Sequence, residues 1–381
     1  MEKMRLFLIV PPGLEDLAEK EMKAKLPAVT SSVIKGGIEA HADLDWMVNA
    51  HLLLKIPVRI LLRITEFKVR DFPKLHHRFE KFPWKDVLSH PGPQWEITCR
   101  KSRLMHTGRI EETIRKALGE ALVRQPLSQD WKKKNYSPQT FYVRLEDDVL
   151  TLSLDLSGEA LYKRGLQVIK GEAPLRENFA AALLLELFDG VEEEVSLTDP
   201  MCGSGTFLLE AATFHRPLHA RKFSFEEAPF FKGKLVRLPE ETRPLPVKSY
   251  FGNEIDPELV GKVSPVLGGF GVRVETGDAL TKKLPGELMI CNPPYGERIK
   301  TQDKKGVFLK KALLKILAQD QPRRLGWLIP SDMAGVVGTH ENYVLRKSRK
   351  FRNGGLPVTF QVWDRQEFKG QETADSSPTR R

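Results

Sequence analysis

The stretch with the clearest chemical potential runs from Asp199 to Thr206 and contains Met201 and the turn Gly203-Ser204-Gly205. A β-type run precedes the turn and an apolar helical run follows it, which predicts a strand, a glycine turn and a helix. Glycines in such a turn let a ligand approach the main chain beside the partial positive charge of a helix N-terminus. The third glycine of the dinucleotide fingerprint is absent, and Asp199 would repel a pyrophosphate. A nucleotide-like ligand with positive charge therefore fits better, and a plain connecting turn is the alternative.

A second group of functional residues follows the apolar run from Leu288 to Cys291, which predicts a buried strand. The run ends in Asn292-Pro293-Pro294-Tyr295. Two prolines keep the backbone extended, so the Asn292 side chain and the Pro293 carbonyl can both face a planar amine. Tyr295 offers a ring on which a base can stack. These residues predict a site that holds the amino group of a base.

The two motifs together resemble class I S-adenosylmethionine-dependent amino-methyltransferases. The longer run Asn292-Pro-Pro-Tyr-Gly-Glu-Arg298 is similar to bacterial large-subunit ribosomal RNA guanine methyltransferases that carry a THUMP RNA-binding domain. This resemblance implies S-adenosylmethionine as cofactor and methylation of the exocyclic amino group (N2) of a guanine in 23S ribosomal RNA. Other amines stay open as alternatives: tRNA guanine, DNA adenine or protein glutamine. A degenerate methyltransferase that only binds RNA during ribosome assembly is the alternative from another class.

The resemblance also implies roles for individual residues. Glu254 would accept both hydrogen bonds of a ribose diol, and Asp278 would contact an adenine. Arg176, Glu177 and Asn178 would cover the cofactor, although an ordinary helix start explains them nearly as well. The implied catalytic residues are Asn292, Pro293, Pro294 and Tyr295. The implied cofactor contacts are Asp199, Met201, Gly203, Gly205, Thr206, Glu254, Ile255, Asp278, Ala279 and Asn292.

The net charge of the 381 residues is +10 at pH 7, and it is distributed unevenly. Between Met47 and Lys170 there are 23 Lys and Arg against 14 Asp and Glu, a difference of +9 that leaves +1 for the remainder. Such confinement favours a polyanionic partner, most plausibly nucleic acid. The THUMP resemblance implies RNA contacts by Lys101, Arg103, His106 and Arg109. Capping of a helix explains His106 equally well, and Lys132 to Lys134 is a weaker candidate.

Composition sets further expectations. No apolar run approaches the length of a membrane span. The three cysteines form no metal-ligand pair and fit a reducing compartment. His215 and His219 are separated by Pro217, which argues against a metal site between them. We therefore expect a cytoplasmic monomer without a metal.

The elements that must position these residues predict an α/β protein. Strands alternate with helices in the C-terminal half, which indicates a parallel sheet with ligands at the carboxyl ends of its strands. We expect a Rossmann-like class I methyltransferase domain with a seven-stranded, mostly parallel sheet, preceded by an α+β THUMP domain. We also expect the chain from about Glu172 onward to bind the cofactor by itself. The predicted boundaries are 1–57 for a ferredoxin-like segment, 58–168 for the THUMP domain, 169–369 for the methyltransferase domain and 370–381 for a disordered tail.

Overall fold

The computed structural model describes residues 3–164, 175–217, 221–294, 306–335 and 340–366. Two seven-stranded sheets organise these residues, one in each half of the chain. The sequence predictions for Tyr295, His219 and the tail 370–381 lie outside the described residues.

The first sheet has the strand order β2-β3-β1-β4-β7-β6-β5. Strand β1 pairs with β4 in antiparallel register, with Leu6 opposite Leu62. The sheet is therefore continuous across the boundary proposed at residue 57. Its strands are β1 (Met4–Ile9), β2 (Thr30–Ile34), β3 (Gly37–Ala42), β4 (Arg59–Lys68), β5 (Gln94–Arg100), β6 (Thr140–Glu146) and β7 (Val149–Asp155).

Local sequence explains several elements of this half. The hairpin between β6 and β7 turns at Asp147 and Asp148, which both have positive φ, as a type I′ turn requires. Asp43 begins one helix by accepting a hydrogen bond from the Trp46 amide. The helices are α1 (Glu15–Lys25), α2 (Leu44–Leu53), α3 (Phe72–Glu80), α4 (Thr107–Arg124) and α5 (Asp130–Lys134).

The second sheet has the strand order β10-β9-β8-β11-β12-β14-β13. The neighbouring pairs from β10 to β12 are parallel. Strand β14 pairs in antiparallel register with both β12 and β13, so it alone runs opposite to the other strands of this sheet. This confirms the predicted seven-stranded, mostly parallel sheet. Its strands are β8 (Val195–Asp199), β9 (Val247–Glu254), β10 (Val272–Thr276), β11 (Leu288–Cys291), β12 (Arg324–Pro330), β13 (Tyr343–Asn353) and β14 (Leu356–Arg365). Its helices are α6 (Glu177–Leu187), α7 (Thr206–Ala212), α8 (Pro257–Gly268) and α9 (Val307–Lys315).

The Pro- and Phe-rich excursion between α7 and β9, for which the sequence predicts no role, joins the two halves. The Phe225 amide donates to the Leu156 carbonyl, and the Ser137 amide donates to the Glu227 carboxylate, both at 2.9 Å. The Phe225 ring lies 4.9 Å from the buried His51 ring. One hydrophobic core consequently continues from the first sheet into the second. Within the residues that the structure describes, no helix is both long and apolar enough to cross a membrane.

Candidate cofactor and amine site

Four polar side chains predicted from sequence lie at one edge of the second sheet. Strands β10, β9, β8 and β11 are adjacent and parallel, so their carboxyl ends meet at that edge. Asp199, Glu254 and Asn292 end or directly follow their strands, and Asp278 lies two residues beyond β10. The topology therefore brings together residues that are up to about a hundred positions apart in the sequence.

Asp199 is a buried carboxyl group, with 2% of its surface exposed. It accepts a hydrogen bond from the Met201 amide at 3.1 Å, and no salt bridge pairs it with a cation of the described residues. Burial, with a smaller contribution from the nearby Glu254 carboxylate, raises the pKa of Asp199 to about 8, and the hydrogen bond from Met201 opposes this shift. A positively charged ligand group would supply the missing counter-charge.

Glu254 organises the main chain around the turn. Its carboxylate accepts hydrogen bonds from the amides of Gly203 and Ile255 at 2.9 Å and of Asp256 at 3.1 Å. A carboxylate has about four acceptor positions, so one remains for a ligand hydroxyl in this arrangement. The apolar Ile255 side chain beside it is 65% exposed and can cover a flat ring. Asp256 caps α8 through the Glu258 amide, as the sequence suggests.

The two glycines of the turn have different tasks. Both have positive φ, 53° for Gly203 and 75° for Gly205. A Cβ on Gly203 would meet no atom within 4 Å, whereas a Cβ on Gly205 would lie 2.4 Å from the Leu267 Cδ1 of α8. The missing side chain of Gly205 thus makes room for α8, and only Gly203 leaves open space for a ligand. Gly203 is therefore the better candidate of the two for ligand approach.

Four other predicted cofactor contacts are engaged within the protein. Asp278 accepts a hydrogen bond from the Leu280 amide at 2.8 Å and so begins a turn. Ala279 is 6% exposed and packs into the second hydrophobic cluster, with Met201 against the same cluster. Thr206 is 8% exposed, and its hydroxyl lies 3.3 Å from that of Ser204. For Ala279 and Thr206, burial leaves mainly the main chain to contact a ligand.

Asn253 is a site residue that the sequence reasoning missed. Its side-chain amide donates to the carbonyls of Pro200 at 3.0 Å and Gly277 at 2.9 Å. Its main-chain carbonyl accepts a hydrogen bond from the Cys202 amide. It therefore ties the loops after β8 and β10 to the end of β9. A signal was present, since Asn253 directly precedes Glu254, but its role depends on two carbonyls that are distant in sequence.

Asn292 presents an unused hydrogen-bond acceptor. Its Oδ1 atom is buried and has no hydrogen-bond partner within the part of the chain that the structure describes. Leaving such a group unsatisfied costs about 1–3 kcal/mol, which an N–H from a ligand would recover. Pro293 is buried and Pro294 half-buried. Tyr295 lies outside the described residues.

The residues at the start of α6 contact the first half of the chain. The Arg176 guanidinium lies 5.4 Å from the centre of the Tyr162 ring. Asn178 is buried, and its amide lies 3.5 Å from the Ile56 carbonyl. Glu177 is the first residue of α6. For Arg176 and Asn178, these contacts favour an anchoring role over the predicted cover for the cofactor.

The predicted RNA contacts lie in one exposed loop at the start of α4. Lys101, Arg103, His106 and Arg109 are all exposed. The His106 Nδ1 atom accepts from the Arg109 amide at 3.2 Å, so His106 caps α4. The Arg103 amide donates to Asp148, and the Arg109 guanidinium stacks 4.3 Å from the Phe72 ring. Lys132, Lys133 and Lys134 are exposed in α5.

The described residues offer neither a cluster of metal ligands nor a reactive thiol at Cys202 or Cys291. Among the described residues, no group of three or more His, Cys, Asp and Glu side chains could hold a metal ion. His215 lies 3.5 Å from Glu241. Burial raises the pKa of both Cys202 and Cys291 well above 9, which keeps these thiols protonated and poorly nucleophilic.

Comparison with known proteins agrees with this geometry. Residues 164–348 match the family model described as RMKL-like, methyltransferase domain. The chain is 30% identical over 316 residues to the ribosomal RNA large subunit methyltransferase K/L of Photobacterium profundum, an alignment that covers 77% of this chain. It spans 44% of the length of that relative.

Solved structures share the fold over nearly the whole chain. SMU.472, crystallised as a complex with SAH, superposes with a TM-score of 0.77 at 23% identity, covering 97% of this chain and all of that one. TrmN from Thermus thermophilus gives a TM-score of 0.66 at 18% identity, with 95% and 100% covered. The sheet with polar residues at its strand ends, the Asn-Pro-Pro motif and the family match agree: this chain contains an α/β methyltransferase domain of the RMKL-like family.

Proposed function

We propose that this protein is an S-adenosylmethionine-dependent methyltransferase that methylates the N2 amino group of a guanine in large-subunit ribosomal RNA, as a monomer in the cytoplasm. The observation that carries the proposal is the buried Oδ1 atom of Asn292, which has no partner among the described residues and lies at the sheet edge that also holds Asp199 and Glu254. An acceptor at this place suits an amine, and a carboxyl group without a cation suits a charged cofactor.

The residues present fit S-adenosylmethionine. Asp199 would hold its ammonium group, Glu254 its ribose and Ile255 one face of its adenine. Gly203 leaves open space above the main chain, where a Cβ would otherwise project. When bound, the cofactor supplies an electrophilic methyl group.

The protein's task is then to prepare a poor nucleophile. The lone pair of the guanine N2 is delocalised into the ring. Asn292 Oδ1 and the Pro293 carbonyl would each accept a hydrogen bond from one N–H of this amine, which holds the nitrogen and favours its pyramidal form. The target base must leave its stack to reach them. We assign the replacement stacking surface to Tyr295.

The exposed basic loop at α4 would bring the RNA to this site. Phosphate contacts position a nucleic acid without reading its sequence, and structured RNA is recognised largely by its shape. Lys101, Arg103 and Arg109 present charge within the segment from Met47 to Lys170, which carries +9 of the net charge of +10.

The substrate can be tested by mass spectrometry of nucleosides. Ribosomal RNA from a strain that lacks the gene should lose one N2-methylguanosine, and the purified protein with S-adenosylmethionine should restore it. Unchanged ribosomal RNA with a missing methyl group in tRNA, DNA or protein glutamine would move the proposal to that substrate. No missing methyl group in any of them would favour a binding protein without activity.

Changing the two glycines separately should give different results. Gly203→Ala should weaken S-adenosylmethionine binding by about tenfold or more in calorimetry, because its Cβ projects into the open space, and should cost only about 1 kcal/mol of stability for its positive φ. Gly205→Ala is the matched comparison. It should mainly lower the melting temperature, because its Cβ collides with Leu267. Equal loss of stability in both variants would contradict this assignment.

Removing the three basic side chains of the loop should reduce the salt dependence of RNA binding. In the Lys101→Ala, Arg103→Ala, Arg109→Ala variant, the slope of log affinity against log salt should fall by about 2 to 3, since each lost phosphate contact removes about 0.7 to 0.9. Filter binding at several salt concentrations measures the slope. The Lys132→Ala, Lys133→Ala, Lys134→Ala variant loses the same charge and should change it less. Identical slopes for wild type and the first variant would place the RNA elsewhere.

A further inference from the structure

A group of charged side chains is buried between the two halves of the chain, and the proposed reaction does not use it directly. Glu21, Lys25 and Lys55 come from the N-terminal half, Arg164 follows the first sheet, and Glu210 lies on α7. Their side chains are between 0% and 4% exposed. Burying charges costs several kcal/mol per ion unless each finds partners, so the arrangement of these groups calls for a physical reason.

The two lysines bind the C-terminal end of α7. The Lys55 Nζ atom donates to the Thr213 carbonyl at 2.6 Å and lies 3.3 Å from its hydroxyl. The Lys25 Nζ atom donates to the Phe214 carbonyl at 3.0 Å and lies 3.8 Å from the centre of the Phe214 ring. The last carbonyls of a helix lack partners and carry its negative partial charge, which a buried cation satisfies well.

Two carboxylates hold the lysines in place. Glu21 accepts from the Lys25 ammonium at 2.8 Å and from the Lys55 amide at 2.9 Å. Glu210 lies 3.9 Å from the Lys55 Nζ atom and 3.1 Å from the Arg164 Nε atom. Three cations thus face two anions. Burial, together with the nearby cations Arg164 and Lys25, lowers the pKa of Lys55 to about 7. Glu210 and the more distant Glu21 act in the opposite direction.

The other end of α7 carries the glycine turn. Gly205 is the N-cap of α7, and the helix has 7 residues, so it is a rod of about 10 Å. Fixing the position of its C-terminal end therefore fixes Gly203 and Gly205 at its N-terminal end. Glu210 adds a second hold in the middle of the same helix.

We infer that Lys55, assisted by Lys25, is a positioning residue for the cofactor turn. The N-terminal half then contributes to the cofactor site as well as to RNA recruitment. This replaces the expectation that the chain from Glu172 onward binds the cofactor by itself, since that segment lacks Lys25, Lys55 and Arg164. The inference rests on the proposed function, because it assigns the turn to S-adenosylmethionine.

The full-length Lys55→Met, Glu210→Gln variant tests the inference. It removes the hold on the helix end without leaving a buried carboxylate unpaired. We expect its affinity for S-adenosylmethionine in calorimetry to fall roughly two- to thirtyfold, the range of 0.5 to 2 kcal/mol typical for residues that act through a network. The KM for the cofactor should rise while kcat changes little, and RNA affinity should stay at the wild-type value. Lys55→Arg keeps the charge and the donors and should retain most of the affinity.

The control is Lys20→Met, which removes an exposed ion pair between α1 and Asp189 that also joins the halves but does not touch α7. It should bind the cofactor like wild type. If the double variant does not melt cooperatively, Lys25→Met decides, and it should weaken cofactor binding at least about twofold. Wild-type affinity in the folded double variant would overturn the inference. Absence of cofactor binding in the wild-type protein would instead overturn the proposed function.

Discussion

Asn292→Ala is expected to lower kcat by about two to three orders of magnitude and to leave the affinity for S-adenosylmethionine within about twofold of wild type. The Asn292 Oδ1 atom is a buried acceptor without a partner among the described residues, and we propose that it holds the amine in the transition state. Single-turnover rates on the confirmed RNA substrate, together with calorimetry of the cofactor, separate the two effects.

Asn253→Ala provides the contrasting asparagine variant. Asn253 ties the loops around the cofactor through its side-chain Nδ2 donor, so its loss should raise the KM for S-adenosylmethionine more than it lowers kcat. Asn292→Gln keeps the amide but moves its oxygen by one methylene, and should recover little activity. Turnover of Asn292→Ala within threefold of wild type would show that the amine is held by other groups.

The second sheet could be predicted because its strands are short, apolar and separated by helical patterns. Strand β11 coincides with the predicted run from Leu288 to Cys291, which the charged Glu287 precedes and Asn292-Pro293 ends. The continuity of the first sheet could not be predicted. It depends on the pairing of β1 with β4, whose paired residues lie 50 to 56 positions apart, and no local pattern specifies such a pairing.

The positions of the candidate site residues could be predicted where a local motif follows a strand. The contacts between residues that are distant in sequence could not. Asp199, Glu254 and Asn292 follow strands, and parallel topology then places them together. A Cβ on Gly205 would collide with Leu267, which lies 62 positions away. The Lys55 ammonium donates to the carbonyl of Thr213, which lies 158 positions away. Glycine spacing alone made both glycines candidates for ligand approach, because a sequence does not show which side of a turn faces a neighbouring helix.

The affinity for S-adenosylmethionine is expected to rise as the pH increases from 6 to 8, by up to about tenfold per pH unit, and then to level off. Burial raises the pKa of Asp199 to about 8, so the free protein holds this carboxyl group protonated below that value. The stability that the bound proton contributes is complete below the ordinary pKa of 3.8 and is lost as the pH rises through about 8. A cofactor ammonium needs the ionised form, so binding below pH 8 must release the proton.

Calorimetry at several pH values measures this slope. Asp199→Asn should bind more weakly at pH 8, show little dependence on pH and melt at a higher temperature without cofactor above pH 6. Asp256→Asn, which changes the exposed cap of α8, should keep the wild-type slope, and a wild-type slope in Asp199→Asn would assign the titration to another group.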